Sequence, residues 1–193
     1  MCMSQEKRNS IAIVGHTRGI GKAIADLYLD KGYTVVGFSR SNGNDINKDQ
    51  EKIVDAVKHC DLVVINAHAG RSQLKLLKNI YSRYNNDKKK VVVITSTSGT
   101  LHGKDENVSY KGYQRYCDDK KELIDYIKEL QDDLLPRPMS VYDVCPDVVD
   151  TDMTKGLWTS LPKLMPSEVA QAVEYCFEST FNINRIEIQK NAG

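Results

Sequence analysis

The chain has 193 residues, of which 40% are hydrophobic and 27% are charged, and its formal net charge is +1. This length supports one domain with a full core and is too short for two comfortable domains. A nearly neutral chain has no general attraction for nucleic acid or for an acidic membrane, so neither is expected as a partner.

Short apolar runs alternate with helical patterns along the chain. The predicted strands are apolar throughout and cover residues 11–15, 33–39, 61–66, 90–96, 139–145 and 183–189. The predicted helices repeat apolar residues at intervals of three and four and cover 20–32, 50–60, 73–84, 120–135 and 167–178. Fully apolar strands separated by helices indicate a parallel sheet covered on both faces. The sequence therefore predicts one α/β domain over residues 1–193, doubly wound, with residues 1–10 flexible.

The sequence shows no signal for export, for a membrane or for a metal. Its start, "MCMSQEKRNS", lacks the apolar segment of a signal peptide, and no apolar run approaches the length of a membrane span. The five cysteines are odd in number and form no C-x-x-C pair, which favours free thiols in a reducing compartment. The four histidines are scattered without the spacing of metal ligands. We therefore expect a cytoplasmic protein with no bound metal.

The segment "GHTRGIG", residues 15–21, joins the first predicted strand to the first predicted helix. Its glycines let the backbone turn tightly and let a phosphate approach without a Cβ in the way. The helix that follows directs free N–H groups and the positive end of its dipole toward the same place. The turn therefore indicates a phosphate site, although a glycine-rich helix start that binds nothing has the same pattern.

Several later stretches add to this turn, whose spacing is G-x-x-x-G-x-G. In chain order they are "NDIN" (44–47), "NAHAG" (66–70), "ITSTSG" (94–99), "YCDDK" (116–120) and "PDVVDTDM" (146–153). By these motifs the chain resembles the short-chain dehydrogenase/reductase family from about residue 11 to its end. The resemblance implies a Rossmann-like fold that binds a nicotinamide dinucleotide and transfers hydride between it and a carbonyl or alcohol substrate.

The resemblance also implies a catalytic serine, tyrosine and lysine. Tyr116 would supply or remove the proton of the substrate oxygen, and Lys120 follows it by four residues, on the same face of a helix. A nearby ammonium makes tyrosine, whose free pKa is ~10, a better base near neutral pH. Ser96 would polarise the substrate oxygen, with Ser98 as a rival. Asn79 would order a water relay, although an exposed helical asparagine has the same pattern.

Further residues are implied to hold the cofactor. They are Gly15, Thr17, Arg18, Gly19, Ile20, Gly21, Asp45, Ile46, Asn66, Ala67, Gly70, Val149 and Thr151, together with Lys120. By the resemblance, Asp45 would meet the adenine, Lys120 the nicotinamide ribose, and Val149 and Thr151 the nicotinamide carboxamide.

The end of the second strand, "GFSRS", favours NADP over NAD. Relatives that use NAD usually place a carboxylate here, which binds the ribose hydroxyls and repels a 2′-phosphate. This chain has Ser39, Arg40 and Ser41 instead, and Arg18 precedes Gly19 in the glycine turn. Two guanidiniums with a serine hydroxyl would form a clamp for the phosphate. Two solvated surface arginines are the alternative.

The chain departs from the family pattern at several places. Asp147 stands where a glycine usually follows the proline, which puts a carboxylate near the nicotinamide or the substrate entrance. Alignment of "NAHAG" on its last two residues puts Ala67 and His68 over the family's two asparagines. The loop 99–112 is enlarged, and the segment 40–45 leaves almost no room for a third strand. The helix after Gly70 is short, so a homodimer and a homotetramer both stay open.

We expect an NADP-dependent oxidoreductase that acts on a small carbonyl or alcohol through Ser96, Tyr116 and Lys120. The alternative is a non-catalytic regulator that keeps the fold and binds the dinucleotide. A sugar-nucleotide epimerase or dehydratase also uses a Tyr–Lys pair, but such enzymes carry a sizeable C-terminal substrate domain, for which this chain has little room. The sequence names no substrate.

Overall fold

The computed structural model describes residues 9–100, 112–133 and 137–191. The described residues form one sheet of six parallel strands in the order β2-β1-β3-β4-β5-β6. The strands are β1 (Ser10–Val14), β2 (Thr34–Phe38), β3 (Leu62–Ile65), β4 (Lys90–Ile94), β5 (Ser140–Pro146) and β6 (Arg185–Ile188). Each coincides with a predicted strand, because an apolar run between two helical patterns is buried on both faces of a parallel sheet.

Five α-helices connect the strands and cover both faces of the sheet. They are α1 (Gly19–Asp30), α2 (Gln50–Ala56), α3 (Ser72–Tyr84), α4 (Tyr113–Gln131) and α5 (Pro166–Glu178), counted over the described residues. One core cluster packs α1 and α5 on the sheet through residues such as Ile24 and Val173. The opposite cluster packs α2, α3 and α4 through residues such as Ile53, Leu76 and Ile127. The doubly wound, Rossmann-like prediction is confirmed.

The strand order reverses direction between β1 and β3, which leaves a crevice beyond their carboxyl ends. In open α/β sheets this is where ligands bind. The glycine turn follows β1 and "NAHAG" follows β3, so the fold places both motifs at the crevice.

Three details differ from or refine the predictions. Helix α4 begins at Tyr113, seven residues before the predicted start. The prediction began too late because the first two turns bury Cys117 and Lys120 rather than a stripe of aliphatic residues. The segment 39–49 contains a 3-10 helix at Arg40–Asn42 and no strand, as its length indicated. Ser10 is already part of β1, and residues 1–8 and 101–111, which include most of the enlarged loop, lie outside the described residues.

Candidate active site

The glycine turn is held by close backbone contacts with the ends of β2 and β3. Gly15 has φ +91°, its N–H donates to Phe38 O at 2.7 Å, and its carbonyl accepts from the Asn66 side chain at 3.0 Å. A Cβ on Gly15 would lie 2.9 Å from the nitrogen of Ala67, and one on Gly21 would lie 1.9 Å from Gly15 O. Both positions therefore need glycine, and the turn brings Asn66 and Ala67 next to it.

The start of α1 faces the loop after β5. Gly19 has φ +53°, and a Cβ on it would lie 3.1 Å from Cγ2 of Thr151. Both residues line an open cleft of about 340 Å³. Thr17 and Arg18 are exposed at its edge, whereas Ile20 packs into the core. The unpaired N–H groups of a helix start attract anions, but the lining of this cleft also includes the carboxylates of Asp26, Asp150 and Asp152.

Ser39, Arg40 and Ser41 lie in a tight turn after β2. The Asn42 side chain fixes this turn, since its Oδ1 accepts from the Ser39 N–H at 2.8 Å and its Nδ2 donates to the chain carbonyl of residue 37. The Ser39 and Ser41 hydroxyls are 2.8 Å apart. Arg40 and Arg18 are exposed, and neither forms an ion pair with any residue that the structure describes.

His16 contributes a contact that the motifs did not indicate. Its ring lies against Gly37 of β2, where a Cβ would fall 2.3 Å from the ring carbon Cδ2. His16 Nδ1 is buried without a hydrogen-bond partner among the described residues. Such a nitrogen is unusual, because most buried polar atoms have a hydrogen-bond partner.

Asp45 uses its polar groups in its own turn. Its Oδ1 accepts from the Asn47 N–H at 2.9 Å, and its N–H donates to Asp49 at 2.6 Å. Ile46 is buried, and its carbonyl accepts from Gln50 of α2 at 3.0 Å. The structure thus holds the "NDIN" segment rigidly beside α2.

Tyr116 and Lys120 lie on the face of α4 that turns toward the ends of β3 and β4. The Lys120 ammonium lies 5.7 Å from the centre of the Tyr116 ring and donates to Gln73 Oε1 and Ile94 O, both at 2.9 Å. The His68 ring packs edge-on against Tyr116, with 4.8 Å between ring centres. The pair predicted from the Y-x-x-x-K spacing is therefore brought together with two residues, Gln73 and His68, for which no role was predicted.

Burial changes the protonation of this group. Desolvation lowers the pKa of Lys120 from 10.5 to about 8, while the carboxylate of Asp143 acts in the opposite direction. Desolvation, and then the charge of Lys120, lower the pKa of His68 to about 4. His68 is therefore neutral at physiological pH, and its Nδ1 is buried without a hydrogen-bond partner among the described residues.

Ser96 and Ser98 both lie at the end of β4. Ser96 caps a 3-10 turn, and its Oγ accepts from the Ser98 N–H at 3.3 Å. Ser98 Oγ instead accepts from the Tyr113 hydroxyl at 3.3 Å. Between them, Thr97 donates to the Asp147 carboxylate at 2.9 Å. The carboxylate that replaces the family's glycine is thus fixed at the same strand ends as the two serines.

Asn79 lies away from this group. Its side chain donates to Gln50 of α2 at 3.0 Å, between α2 and α3. Helix α3 begins at Ser72, directly after the "NAHAG" turn, so Asn79 is two turns from the crevice. The α3 side chain that contacts Lys120 is Gln73, and the role of Asn79 in a water relay stays a prediction.

The remaining predicted residues lie at the crevice edges. Gly70 has φ +56°, and a Cβ on it would lie 3.6 Å from the Asp119 carboxylate of α4. Val149 is buried in the core and pairs with Leu164 in an isolated bridge, which anchors the loop that carries Thr151.

A buried polar cluster next to Lys120 was not predicted. Asp143 of β5 is 3% exposed, accepts from Thr95, and forms an ion pair with Arg185 at 2.9 Å. Arg185 also donates to Cys145 Sγ and to Glu187. Desolvation raises the pKa of Asp143, and Arg185 opposes that rise. The available signal was three charged residues in the strand patterns "YDVC" and "RIEI", namely Asp143, Arg185 and Glu187.

Within residues 9–100, 112–133 and 137–191, no helix has the length and apolar character needed to cross a membrane. The same residues contain no group of three or more His, Cys, Asp or Glu side chains that would hold a metal. The four described cysteines are buried, and none of them forms a disulfide bond with another described cysteine.

Comparison with known proteins agrees with this architecture. No family model matches the chain. It is 26% identical to carbonyl reductase family member 4 of Xenopus tropicalis, over 88% of this chain and 91% of that protein. It is 27% identical to the 3-oxoacyl-(acyl-carrier-protein) reductase FabG of Aquifex aeolicus, over 94% of this chain and 95% of that protein.

Solved structures share the fold at lower identity. A 3-alpha-hydroxysteroid dehydrogenase from a Pseudomonas species, complexed with NADH, has a TM-score of 0.75 and 19% identity, over 93% of this chain and 95% of its own. A short chain dehydrogenase from Burkholderia cenocepacia, in complex with NADP, has a TM-score of 0.76 and 16% identity, over 95% of this chain and 89% of its own. With the ordered motifs, these likenesses confirm that the chain resembles short-chain dehydrogenases/reductases and shares their Rossmann-like fold.

Proposed function

We propose that the protein is an NADP-dependent oxidoreductase that transfers hydride between the nicotinamide and a small carbonyl or alcohol substrate. The observation that carries the proposal is the Tyr116–Lys120 pair, whose ammonium is buried beside the strand ends at which the glycine turn also lies. A dinucleotide suits this turn, because close packing of Gly15 on Ala67 and of Gly21 on Gly15 O keeps the backbone compact where it enters α1.

The chain's own groups account for the proton chemistry. When bound, the reduced nicotinamide supplies the hydride that adds to the carbonyl carbon. Tyr116 gives its hydroxyl proton to the carbonyl oxygen as negative charge develops there, and takes a proton back in the reverse direction. The Lys120 ammonium favours the phenolate that this transfer leaves. The Ser96 hydroxyl donates to the same oxygen and polarises it.

NADP rather than NAD is the cofactor that the charges favour. Arg40 lies just after the end of β2. Arg18 lies in the glycine turn, which is joined to the end of β2 by the hydrogen bond from the Gly15 N–H to Phe38 O. Both guanidiniums are exposed and have no carboxylate partner in the described part of the chain, so they are available to a 2′-phosphate. Two charge-assisted hydrogen bonds would favour NADPH over NADH by roughly 10²-fold or more.

Arg40→Asp tests this preference, because it removes one attraction and adds a repulsion. We expect the variant to lose most of the preference while its affinity for NADH changes little. Titration of NADPH and NADH against both proteins, followed by nicotinamide fluorescence, measures this. Arg83→Asp is the control, since Arg83 is an exposed arginine that already pairs with Glu51 and Asp55 on the α2–α3 surface. Equal affinities for the two cofactors in the parent would refute the clamp.

Turnover tests the activity itself. A panel of aldehydes and ketones with NADPH, and of alcohols with NADP⁺, is followed at the nicotinamide absorbance. We expect oxidation of NADPH with at least one carbonyl. Tight NADPH binding with no turnover across the panel would instead favour the non-catalytic regulator, in which Asp147 closes the substrate entrance. The substrate, the oligomeric state and the cytoplasmic location stay predictions.

A further inference from the structure

The Gln73 side chain joins the ends of two strands to the buried lysine. It is 1% exposed, and its Nε2 donates to Ile65 O at the end of β3 and to Ile94 O at the end of β4, both at 3.0 Å. Its Oε1 accepts from Lys120 at 2.9 Å. All the polar atoms of this amide therefore have partners, and they belong to three different elements.

The surroundings permit only one orientation of this amide. Backbone carbonyls only accept hydrogen bonds and an ammonium only donates them, so the amide nitrogen must face Ile65 and Ile94 while the oxygen faces Lys120. A flipped amide would lose all three hydrogen bonds at once. The acceptor offered to Lys120 is thus fixed in place by β3 and β4.

The Lys120 ammonium depends on this acceptor. It is 3% exposed, and a buried charge needs hydrogen-bond partners to remain charged. Gln73 Oε1 and Ile94 O take two of its three N–H donors. The titratable or charged groups that face it are Tyr116 and Asp119 from α4, His68 after β3, and Asp143 and Cys145 of β5.

We propose that Gln73 is a positioning residue that keeps the Lys120 ammonium charged and aimed, and so sets its effect on Tyr116. The inference rests on the proposed function for its catalytic consequence, but the effect on Lys120 itself is independent of any substrate. Without Gln73 Oε1 the ammonium keeps a single acceptor, so its charged form becomes less favourable. A neutral lysine no longer favours the phenolate, so turnover falls while substrate binding is unaffected.

Two substitutions at this position act on Lys120 in opposite directions. Gln73→Met has a similar volume and no hydrogen-bond acceptor of comparable strength, so we expect it to lower the pKa of Lys120 by about one unit or more, the scale of one hydrogen bond to a charged group. Gln73→Glu places a carboxylate against the ammonium and should raise that pKa. NMR titration of isotope-labelled lysine side chains in the cofactor-free protein measures both shifts.

Gln131→Met is the matched control. Gln131 is the last residue of α4, and its Nε2 also donates to two backbone carbonyls, Val141 O and Asn184 O, but among the described residues it forms no hydrogen bond with Lys120. Urea unfolding of each variant separates a loss of folding from an effect on Lys120, and Gln73→Glu carries the test if Gln73→Met does not fold.

The kinetic readout follows from the same reasoning. In Gln73→Met we expect kcat to fall by about twofold or more at pH 7, because a one-unit fall from about 8 leaves about half of Lys120 neutral, with little change in the substrate KM. Gln73→Glu should retain more activity than Gln73→Met. An unchanged Lys120 titration in Gln73→Met, or an equal shift in Gln131→Met, would overturn the inference. If the parent turns over no carbonyl, the proposed function fails, whereas the titration still decides the role of Gln73.

Discussion

Replacing Lys120 by methionine should change how stability depends on pH, because the protonated side chain is buried at a cost. Burial lowers the pKa of Lys120 from 10.5 to about 8. At about 1.36 kcal/mol for each pKa unit, that difference amounts to about 3 kcal/mol of destabilisation when the lysine is protonated in both the folded and unfolded chains. The full cost is present below about pH 8.

The sign follows from where the protons are bound. Between about pH 8 and the unfolded value of 10.5, the unfolded chain holds a proton on Lys120 that the folded chain has released. Stability from this group therefore rises as the pH rises through that window. Lys120→Met has no such group. The stability of the variant relative to the parent should fall by about 2 to 3 kcal/mol between about pH 7 and about pH 10.

The parent and Lys120→Met must be compared, because other buried groups make the stability of the fold decrease as the pH rises. Burial raises the pKa of Cys145 to about 11 and that of Cys176 to about 12, so these thiols lower the stability of the folded chain as the pH rises. Both thiols are present in both proteins, so the contribution of Cys176 cancels in the difference, and that of Cys145 cancels apart from its electrostatic interaction with Lys120. Urea unfolding followed by circular dichroism at several pH values measures this difference.

Lys121→Met is the control for this experiment. Lys121 is the next residue of α4, its side chain is 41% exposed, and it pairs with Asp125 on the surface. We expect its difference from the parent to be nearly independent of pH, because this substitution removes no buried charge. Parallel pH profiles of the parent and Lys120→Met would refute the claim that the ammonium is buried at a cost.

Two further substitutions test the packing of the site. Gly21→Ala should destabilise the fold by about 1–3 kcal/mol and abolish dinucleotide binding. The reason is that the new Cβ would lie 1.9 Å from Gly15 O and 2.7 Å from the Asn66 side chain. Urea unfolding measures the loss of stability, and NADPH titration measures the loss of binding. Arg185→Met should cost about 3 kcal/mol at neutral pH by leaving Asp143 buried without its partner. Burial already raises the pKa of Asp143, so this carboxylate takes up a proton in the folded state on acidification. The loss of stability should therefore be smaller at acid pH than at neutral pH. An equal loss at both pH values would contradict this reasoning.

The sheet and its layers followed from the sequence because fully buried parallel strands leave an unmistakable apolar pattern. The start of α4 did not, because the first turns of this helix bury Lys120 and Cys117. A pattern of apolar residues cannot predict a helical turn whose buried side chain is charged. The buried Asp143–Arg185 pair was missed for the same reason.

The site was predictable where spacing alone defines the geometry. The glycine turn and the Tyr116–Lys120 pair can each be recognised within one short stretch of sequence, although the turn is also held by distant contacts with Phe38 and Asn66. Gln73 depends on contacts with Ile65, Ile94 and Lys120, which lie 8, 21 and 47 residues away. One local signal existed, since Gln73 falls on the buried stripe of α3 that continues with the aliphatic residues at 76, 77 and 80. A polar residue on an apolar stripe marks a buried partner elsewhere in the fold.

The central claim is that Tyr116 transfers the proton that accompanies hydride transfer, and a single-turnover comparison of the parent with Tyr116→Phe tests it most directly. NADPH-loaded protein is mixed with the best carbonyl of the panel, and the decay of the nicotinamide absorbance gives the rate. We predict unchanged NADPH affinity and a rate at least ~10²-fold lower in Tyr116→Phe, the usual scale of general acid–base catalysis. A rate within a few-fold of the parent would contradict the account.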